Sequence, residues 1–199
     1  MKYHDLIKFN HGTMQIDEKA VFGTVGEDTV QACNGVALQE AESSITKQKM
    51  LFFKKSVYTL ELTAAEGNGL WVPYRAKQSV YSLIGGKTWA ASGPYSGCYF
   101  EVGKIGGLYY AAHISKESKI DPNLGEWDNV AKTVLFRKKI GLSRSLPRGA
   151  RGAAAIVFAN FEGAVSVTRV DVLTQSAGQM HGPIFNVQSL DSDDTTTWG

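Results

Sequence analysis

Short runs of β-branched and aromatic residues recur along this chain, each bounded by turn residues. Val57-Tyr58-Thr59-Leu60-Glu61-Leu62, Val80–Ile84, Thr133–Phe136, Ala154–Phe158, Val165–Leu173 and Ile184–Leu190 have the composition of strands. Glu66-Gly67-Asn68-Gly69, Gly85-Gly86, Asp121-Pro122-Asn123 and His181-Gly182-Pro183 punctuate them as turns. Leu38, Ala41 and Ile45 recur at helical spacing and predict a helix over Ala37–Met50, with a second, short one near Glu126–Lys132. No βαβ rhythm runs through the chain, so a doubly wound parallel sheet is not expected. The pattern predicts an α/β (α+β) class: a mainly antiparallel, sandwich-like sheet with a few flanking helices.

Composition narrows this to one domain. The chain has 199 residues, 43% hydrophobic and 20% charged, which are ordinary globular values. Residues 1–190 form one expected domain without internal repeat or linker. The polar run Asp191-Ser192-Asp193-Asp194-Thr195-Thr196-Thr197 opens an expected flexible tail over 191–199. No run of eighteen apolar residues predicts a membrane-crossing helix. The start, Met1-Lys2-Tyr3-His4-Asp5-Leu6-Ile7-Lys8, lacks the apolar stretch and cleavage site of a secretory signal peptide. The two cysteines, Cys33 and Cys98, could form one disulfide but make no framework, and a reducing compartment suits them better. No CxxC, HExxH or clustered ligand spacing points to a metal, and no cofactor is expected.

The sharpest chemical signal is Ser96-Gly97-Cys98, with His113 fifteen positions on in Tyr109-Tyr110-Ala111-Ala112-His113-Ile114-Ser115. The residues between them, Tyr99 to Leu108, read as the two arms of a β-hairpin around a glycine-rich turn. With the turn centred between Ile105 and Gly106, Gly103 pairs with Leu108 and position 98 falls opposite 113. Opposed residues of an antiparallel pair have Cβ atoms about 4.5–5.5 Å apart on one face. A thiol then meets an imidazole, and a base within reach makes a thiol a nucleophile. A one-residue slip would put the two on opposite faces. Against this stands the plain reading, in which cysteine is a small buried hydrophobe and the histidine a core or surface residue.

Ser-Gly-Cys at a strand start, followed by a histidine on the next strand, resembles the cysteine glutamine-deamidase superfamily. That family includes the catalytic domain of cytotoxic necrotizing factors, Burkholderia lethal factor and the bacterial chemoreceptor glutamine deamidase. Residues 92–115 carry the match. The Cys98–His113 separation resembles the necrotizing-factor spacing, while Gly163-Ala164-Val165-Ser166-Val167-Thr168 through Gln188 looks more like the lethal factor. The resemblance implies a catalytic Cys98–His113 pair with a third, less constant group. In the lethal-factor and chemotaxis branches that group is a threonine six residues before the cysteine, a place held here by Ser92. In the necrotizing-factor branch a main-chain carbonyl orients the histidine instead.

The resemblance implies a toxin- or effector-type enzyme that converts a glutamine of a folded target protein to glutamate. A host GTPase or translation factor is the kind of target implied, and a target cell's cytosol the place of action. Cys98 attacks the carboxamide, His113 moves the protons, and the backbone N–H groups of Gly97 and Cys98 hold the oxyanion. A cysteine protease or transglutaminase with the same pair stays open, as does a non-catalytic β-rich binding module.

Net charge is only +2, yet Arg137, Lys138, Lys139, Arg144, Arg148 and Arg151 fall in a stretch without any acid between Asp128 and Glu162. Arg148 and Arg151, in Pro147-Arg148-Gly149-Ala150-Arg151-Gly152, are candidates for recognising an acidic partner surface, with a solvated loop as the plain alternative. No aromatic stacking platform is interleaved there, so no nucleic-acid partner is expected. Trp71, Tyr74, Tyr81 and Trp89 are candidates for a cleft wall or simply for the core. His4, His11 and His181 receive no role.

Overall fold

The structure, a computed structural model, describes residue 6 and residues 12–16, 26–50, 53–117, 122–142, 146–174 and 182–190. The side chains of residues 40–50 and 53–58 lie outside that description, as does the segment 191–199. Strands run in the order β1 Thr13–Ile16, β2 Val30–Ala32, β3 Val36–Met50, β4 Phe53–Ala64, β5 Gly69–Val72, β6 Ser79–Leu83, β7 Trp89–Tyr95, β8 Tyr99–Ile105 and β9 Leu108–Ile114. After the short helix α1, Pro122–Asp128, come β10 Thr133–Lys139, β11 Gly152–Asn160, β12 Ser166–Thr174 and β13 Gly182–Leu190.

Eight strands close a barrel in the order β1-β13-β12-β11-β7-β5-β3-β4, with a parallel β1–β4 pair as the closing seam. The other five make a second sheet, β10-β8-β9-β6-β2. The expected α/β (α+β) class with a few flanking helices is therefore overturned. The protein is mainly β; besides α1, Leu6 is the only helical position among the described residues.

The main error was the expected helix over Ala37–Met50, which is strand β3. Its period of two is hidden by a bulge: Ser43 pairs with Thr59 and Thr46 with Val57, so three steps on β3 match two on β4. One extra residue swaps the face of every later position, which erases strand alternation in the sequence. Pairing with β4 and β5 then overrides the helical spacing of three apolar residues. The short helix is real but begins earlier than expected, with Pro122 in its first turn, where a missing N–H costs nothing.

Alternation in the remaining strands sorts side chains into two cores. Leu38, Leu62, Trp71, Trp89, Ile156 and Phe158 fill the barrel. Their neighbours Leu70, Val72, Ala90, Ala155 and Val157 point outward against Val80, Phe100, Val102 and Ala111 of the second sheet. Gly69 lets β5 and β7 close up, because a Cβ there would stand 2.0 Å from the Trp89 ring. The far face of the second sheet carries Tyr110, Ala112 and Ile114, covered by Trp127 of α1.

The expected hairpin exists, with a tighter turn. Gly106 and Gly107, at φ +57° and +85°, form a two-residue connection that pairs Ile105 with Leu108. Positive φ at both central positions is what a type I′ hairpin requires. Gly103 consequently pairs with Tyr110 and Phe100 with His113. The register differs from the expected one by two residues, so the faces are kept and Cys98 sits diagonally from His113 instead of opposite it.

Candidate active site

His113 lies on β9, on the face turned to the barrel, between Val80 of β6 and Phe100 of β8. Ser92 is an outward position of β7, paired with Val72 of β5 and Val157 of β11. Where the two layers meet, Ser92 Oγ lies 2.7 Å from the Val72 carbonyl oxygen and 2.8 Å from His113 Nδ1. A hydroxyl has one proton, and a carbonyl only accepts. Ser92 therefore donates to Val72 and accepts from His113 Nδ1–H. This places the imidazole proton on Nδ1 and leaves Nε2 as a lone-pair acceptor, which is buried and has no hydrogen-bond partner.

The imidazole is neutral. Burial pushes its pKa down to about 3, because the cation has lost its water. Tyr95 stacks on the ring with centroids 4.2 Å apart and planes 11° apart, and Tyr74 leans on it at 5.0 Å. Both phenols lie within electrostatic reach of Cys98. Burial raises the Tyr95 pKa well above the ordinary phenol value; a Cys98 thiolate pushes the same way and the Ser92 hydroxyl pulls against it. Tyr74 is pushed up to about 12 by burial and by Glu117, whose carboxylate accepts its hydroxyl proton at 3.0 Å. Cys98 and His113 thus share the same two aromatic neighbours.

Cys98 is buried one position before β8 begins. Its carbonyl accepts from Ile140 N–H at 2.9 Å, and Gly97 N–H donates to the Ile140 carbonyl at 2.8 Å. The second bond corrects one expectation. The Gly97 amide is committed to the Ile140 carbonyl and does not serve as an oxyanion donor. What Gly97 supplies is conformation: its φ of +139° disfavours any side chain. It also supplies room, since a Cβ there would meet nothing within 4 Å.

The other cysteine contrasts with it. Cys33 is half-buried, its pKa raised by burial, with the Gly35 backbone and Ser82 hydroxyl as hydrogen-bonding neighbours and no imidazole among them. Both cysteines are thiols and form no disulfide.

Of the cleft-wall candidates only Tyr74 reaches the site. Trp71 and Trp89 fill the barrel, and Tyr81 packs on Trp127 at the far face of the second sheet. Tyr95 was missed because a tyrosine beside Pro94 carries no chemical signature of its own. Arg148 and Arg151 are exposed on the β10–β11 connection. Arg137 leaves the basic patch: it is buried and paired with Glu101 and Asp128. Arg144, His4, His11 and His181 lie outside the described residues. Among the described residues no three His, Cys, Asp or Glu side chains cluster to hold a metal, and no helix is long and apolar enough to cross a membrane.

No family model matches the chain, and no curated protein matches it.

Proposed function

We propose that this protein is a cysteine-dependent glutamine deamidase of the effector type, acting on a folded protein. The observation that carries the reading is the Val72–Ser92–His113 relay, which ends on a buried, unpartnered Nε2 of a ring flanked by Tyr74 and Tyr95, both within electrostatic reach of Cys98. A buried structural histidine usually has both ring nitrogens occupied. This one keeps a lone pair aimed at no protein donor.

The chemistry follows from that state. Neutral His113 takes the Cys98 thiol proton on Nε2 as sulfur attacks the carboxamide carbon. The imidazolium formed is held by Nδ1–H to Ser92, whose hydroxyl is itself anchored on Val72. The tetrahedral oxyanion meets the Cys98 backbone N–H. His113 then protonates the leaving nitrogen, the C–N bond breaks, and ammonia departs from a thioester. Water, deprotonated by the same Nε2, hydrolyses the thioester to a carboxylate and restores the thiol. Ser92 here combines the two orienting devices that distinguish the branches of the resembled superfamily, a side-chain hydroxyl and a main-chain carbonyl.

Intact-mass analysis of folded glutamine-bearing proteins incubated with the enzyme tests the reading. Deamidation adds about one dalton per site and releases ammonia, by the chemistry of the bond change. Fragments would instead indicate a protease, and an amine adduct a transglutaminase. No mass change with any protein, together with a Cys98 no more reactive than Cys33, would leave a binding module.

A further inference from the structure

Strand β7 delivers two residues to His113 that simple alternation would send to opposite faces. Ser92 and Tyr95 stand three positions apart, an odd number. Ser92 pairs with Val157 of β11 and Tyr95 with Ala155, so three steps on β7 match two on β11. The extra residue returns Tyr95 to the face that carries Ser92, into the cluster that also holds Cys98. Gly93 and Pro94 build this bulge. A Cβ on Gly93 would stand 3.1 Å from the Ala155 carbonyl oxygen and 3.2 Å from Ile156 Cγ1, closer than most side chains come. Pro94 has no N–H to give the ladder, and a bulge is where a strand accepts it. Re-aiming one side chain beside an active site is a common use of a bulge.

The re-aimed ring lies flat on the imidazole. Its plane is 11° from that of His113, with centroids 4.2 Å apart. Phe100, the cross-strand partner of His113, meets the same ring edge-on at 6.2 Å. Tyr74, the other aromatic neighbour, is tilted by 47° and tied through its hydroxyl to Glu117. Tyr95 is buried and its own hydroxyl has no hydrogen-bond partner, so contacts of the ring, not a polar bond, hold it. An aromatic face is negative and attracts a cation. Neutral imidazole gains little from it; imidazolium gains more, above all where water is excluded. His113 is in that position, since it is buried and burial is what disfavours its cation.

We propose that Tyr95 is a positioning residue that holds the His113 ring and favours its charged form, so that Cys98 can pass it a proton. The step moves one proton from Sγ to Nε2 and leaves a thiolate beside an imidazolium, with no change in total charge. This rests on the reading that His113 activates Cys98, and not on which bond the thiolate then attacks. An interaction that strengthens as the charge develops lowers the barrier without tightening the ground state. The sequence hides the role, because a tyrosine three places from Ser92 belongs to the other face until the bulge is seen.

The test reads the thiol directly in the full chain, with iodoacetamide as the probe. Tyr95 is replaced by phenylalanine and by pentafluorophenylalanine, rings of nearly the same outline whose faces carry opposite charge. The phenylalanine variant is expected to alkylate at Cys98 within about threefold of the parent, and the pentafluoro variant at least about fivefold more slowly than that. Tyr95→Leu, which removes the ring, should be as slow as the pentafluoro variant. Cys33 should react alike in all of them, and equal thermal midpoints of the two ring variants check the fold. In His113→Ala the two rings should give the same Cys98 rate. Equal rates for the two rings with His113 present, or a difference that persists in His113→Ala, overturns the role of Tyr95. A parent Cys98 no faster than Cys33 removes the pair and this role with it. The expected ring dependence, without a mass shift of any glutamine-bearing protein, would count against the deamidase reading while upholding Tyr95.

Discussion

Two buried polar clusters sit on opposite faces of the β8–β9 hairpin, and they differ in one respect. On the outer face Glu101 accepts from Tyr110, Trp127 and Arg137, and Arg137 reaches on to Asp128. Every charge there has its partner, and the Tyr110 pKa is raised by burial and by the neighbouring carboxylate. On the inner face the chain of bonds from Val72 through Ser92 to His113 stops at Nε2. One cluster is closed and the other is open. A closed network fixes α1 and the β10 edge onto the hairpin and has nothing left to offer a substrate. An open one keeps an unpaired acceptor lone pair in a dry site at a cost to stability, which native proteins tolerate where chemistry needs it.

Substitutions at the open cluster should act on turnover first. Cys98→Ser is expected to lower ammonia release by about a thousandfold or more, with folding intact, because the hydroxyl is nearly isosteric but far harder to ionise. His113→Ala should lose nearly as much, and the double variant hardly more, since nucleophile and base act as a unit. Steady-state ammonia assays check this; a double-variant loss equal to the product of the single losses would break the pair.

Substitutions at the closed cluster should act on stability. Glu101→Ala removes the partner of a buried guanidinium and is expected to cost about 3–5 kcal/mol in denaturant unfolding. Replacing both charges, Glu101→Leu with Arg137→Met, should recover much of that loss. A double variant as unstable as the single one would show that the network does more than neutralise itself.

Ser92 belongs to both descriptions and sharpens the contrast. Ser92→Ala leaves the Val72 carbonyl and the His113 Nδ1–H without partners and is expected to cost about 1–3 kcal/mol. Turnover should also fall about tenfold or more as the ring loses its fixed tautomer. Ser92→Thr, which keeps the hydroxyl, should restore part of both. If turnover in Ser92→Ala matches that of the parent, the relay does not position His113.

A further effect on stability concerns pH. His113 is held near 3 in the folded protein against 6.5 when unfolded. Between those values the unfolded chain binds a proton that the folded one does not, so stability rises with pH across that window. The contribution is complete above about 6.5 and is lost as pH falls toward 3. His113→Phe, which has no proton to take up, should flatten the dependence of the thermal midpoint over this range. Parallel curves for the two proteins would mean that His113 is not held neutral.

The strands and the hairpin were legible because their signals are local. Val57–Leu62 or Val165–Leu173 needs only its own composition to declare a strand. Cys98 and His113 needed only a turn between them, and the error of two residues in its register was harmless because two steps restore the face. The barrel was illegible for the opposite reason. Its closure depends on β1 lying beside β4 and β5 beside β7, parallel pairs that no turn announces. The bulge at Ser43–Thr46 hid β3 entirely. The same non-local pairing concealed Val72 as the anchor of Ser92, Tyr95 as the ring beneath His113, and Ile140 as the residue that occupies the Gly97 amide. Ser92 itself could be named only through the resemblance carried by residues 92–115, and its role became physical once β7 was seen facing β9.

The central claim is that the open cluster activates Cys98, and the two cysteines provide an internal comparison. Cys98 is the more buried and Cys33 the more exposed, so access alone would make Cys33 the faster to react. We expect iodoacetamide, followed by peptide mass analysis at neutral pH, to modify Cys98 at least about tenfold faster than Cys33. That advantage should disappear in His113→Ala. Faster modification of Cys33, or a Cys98 rate that His113→Ala leaves unchanged, would contradict the account.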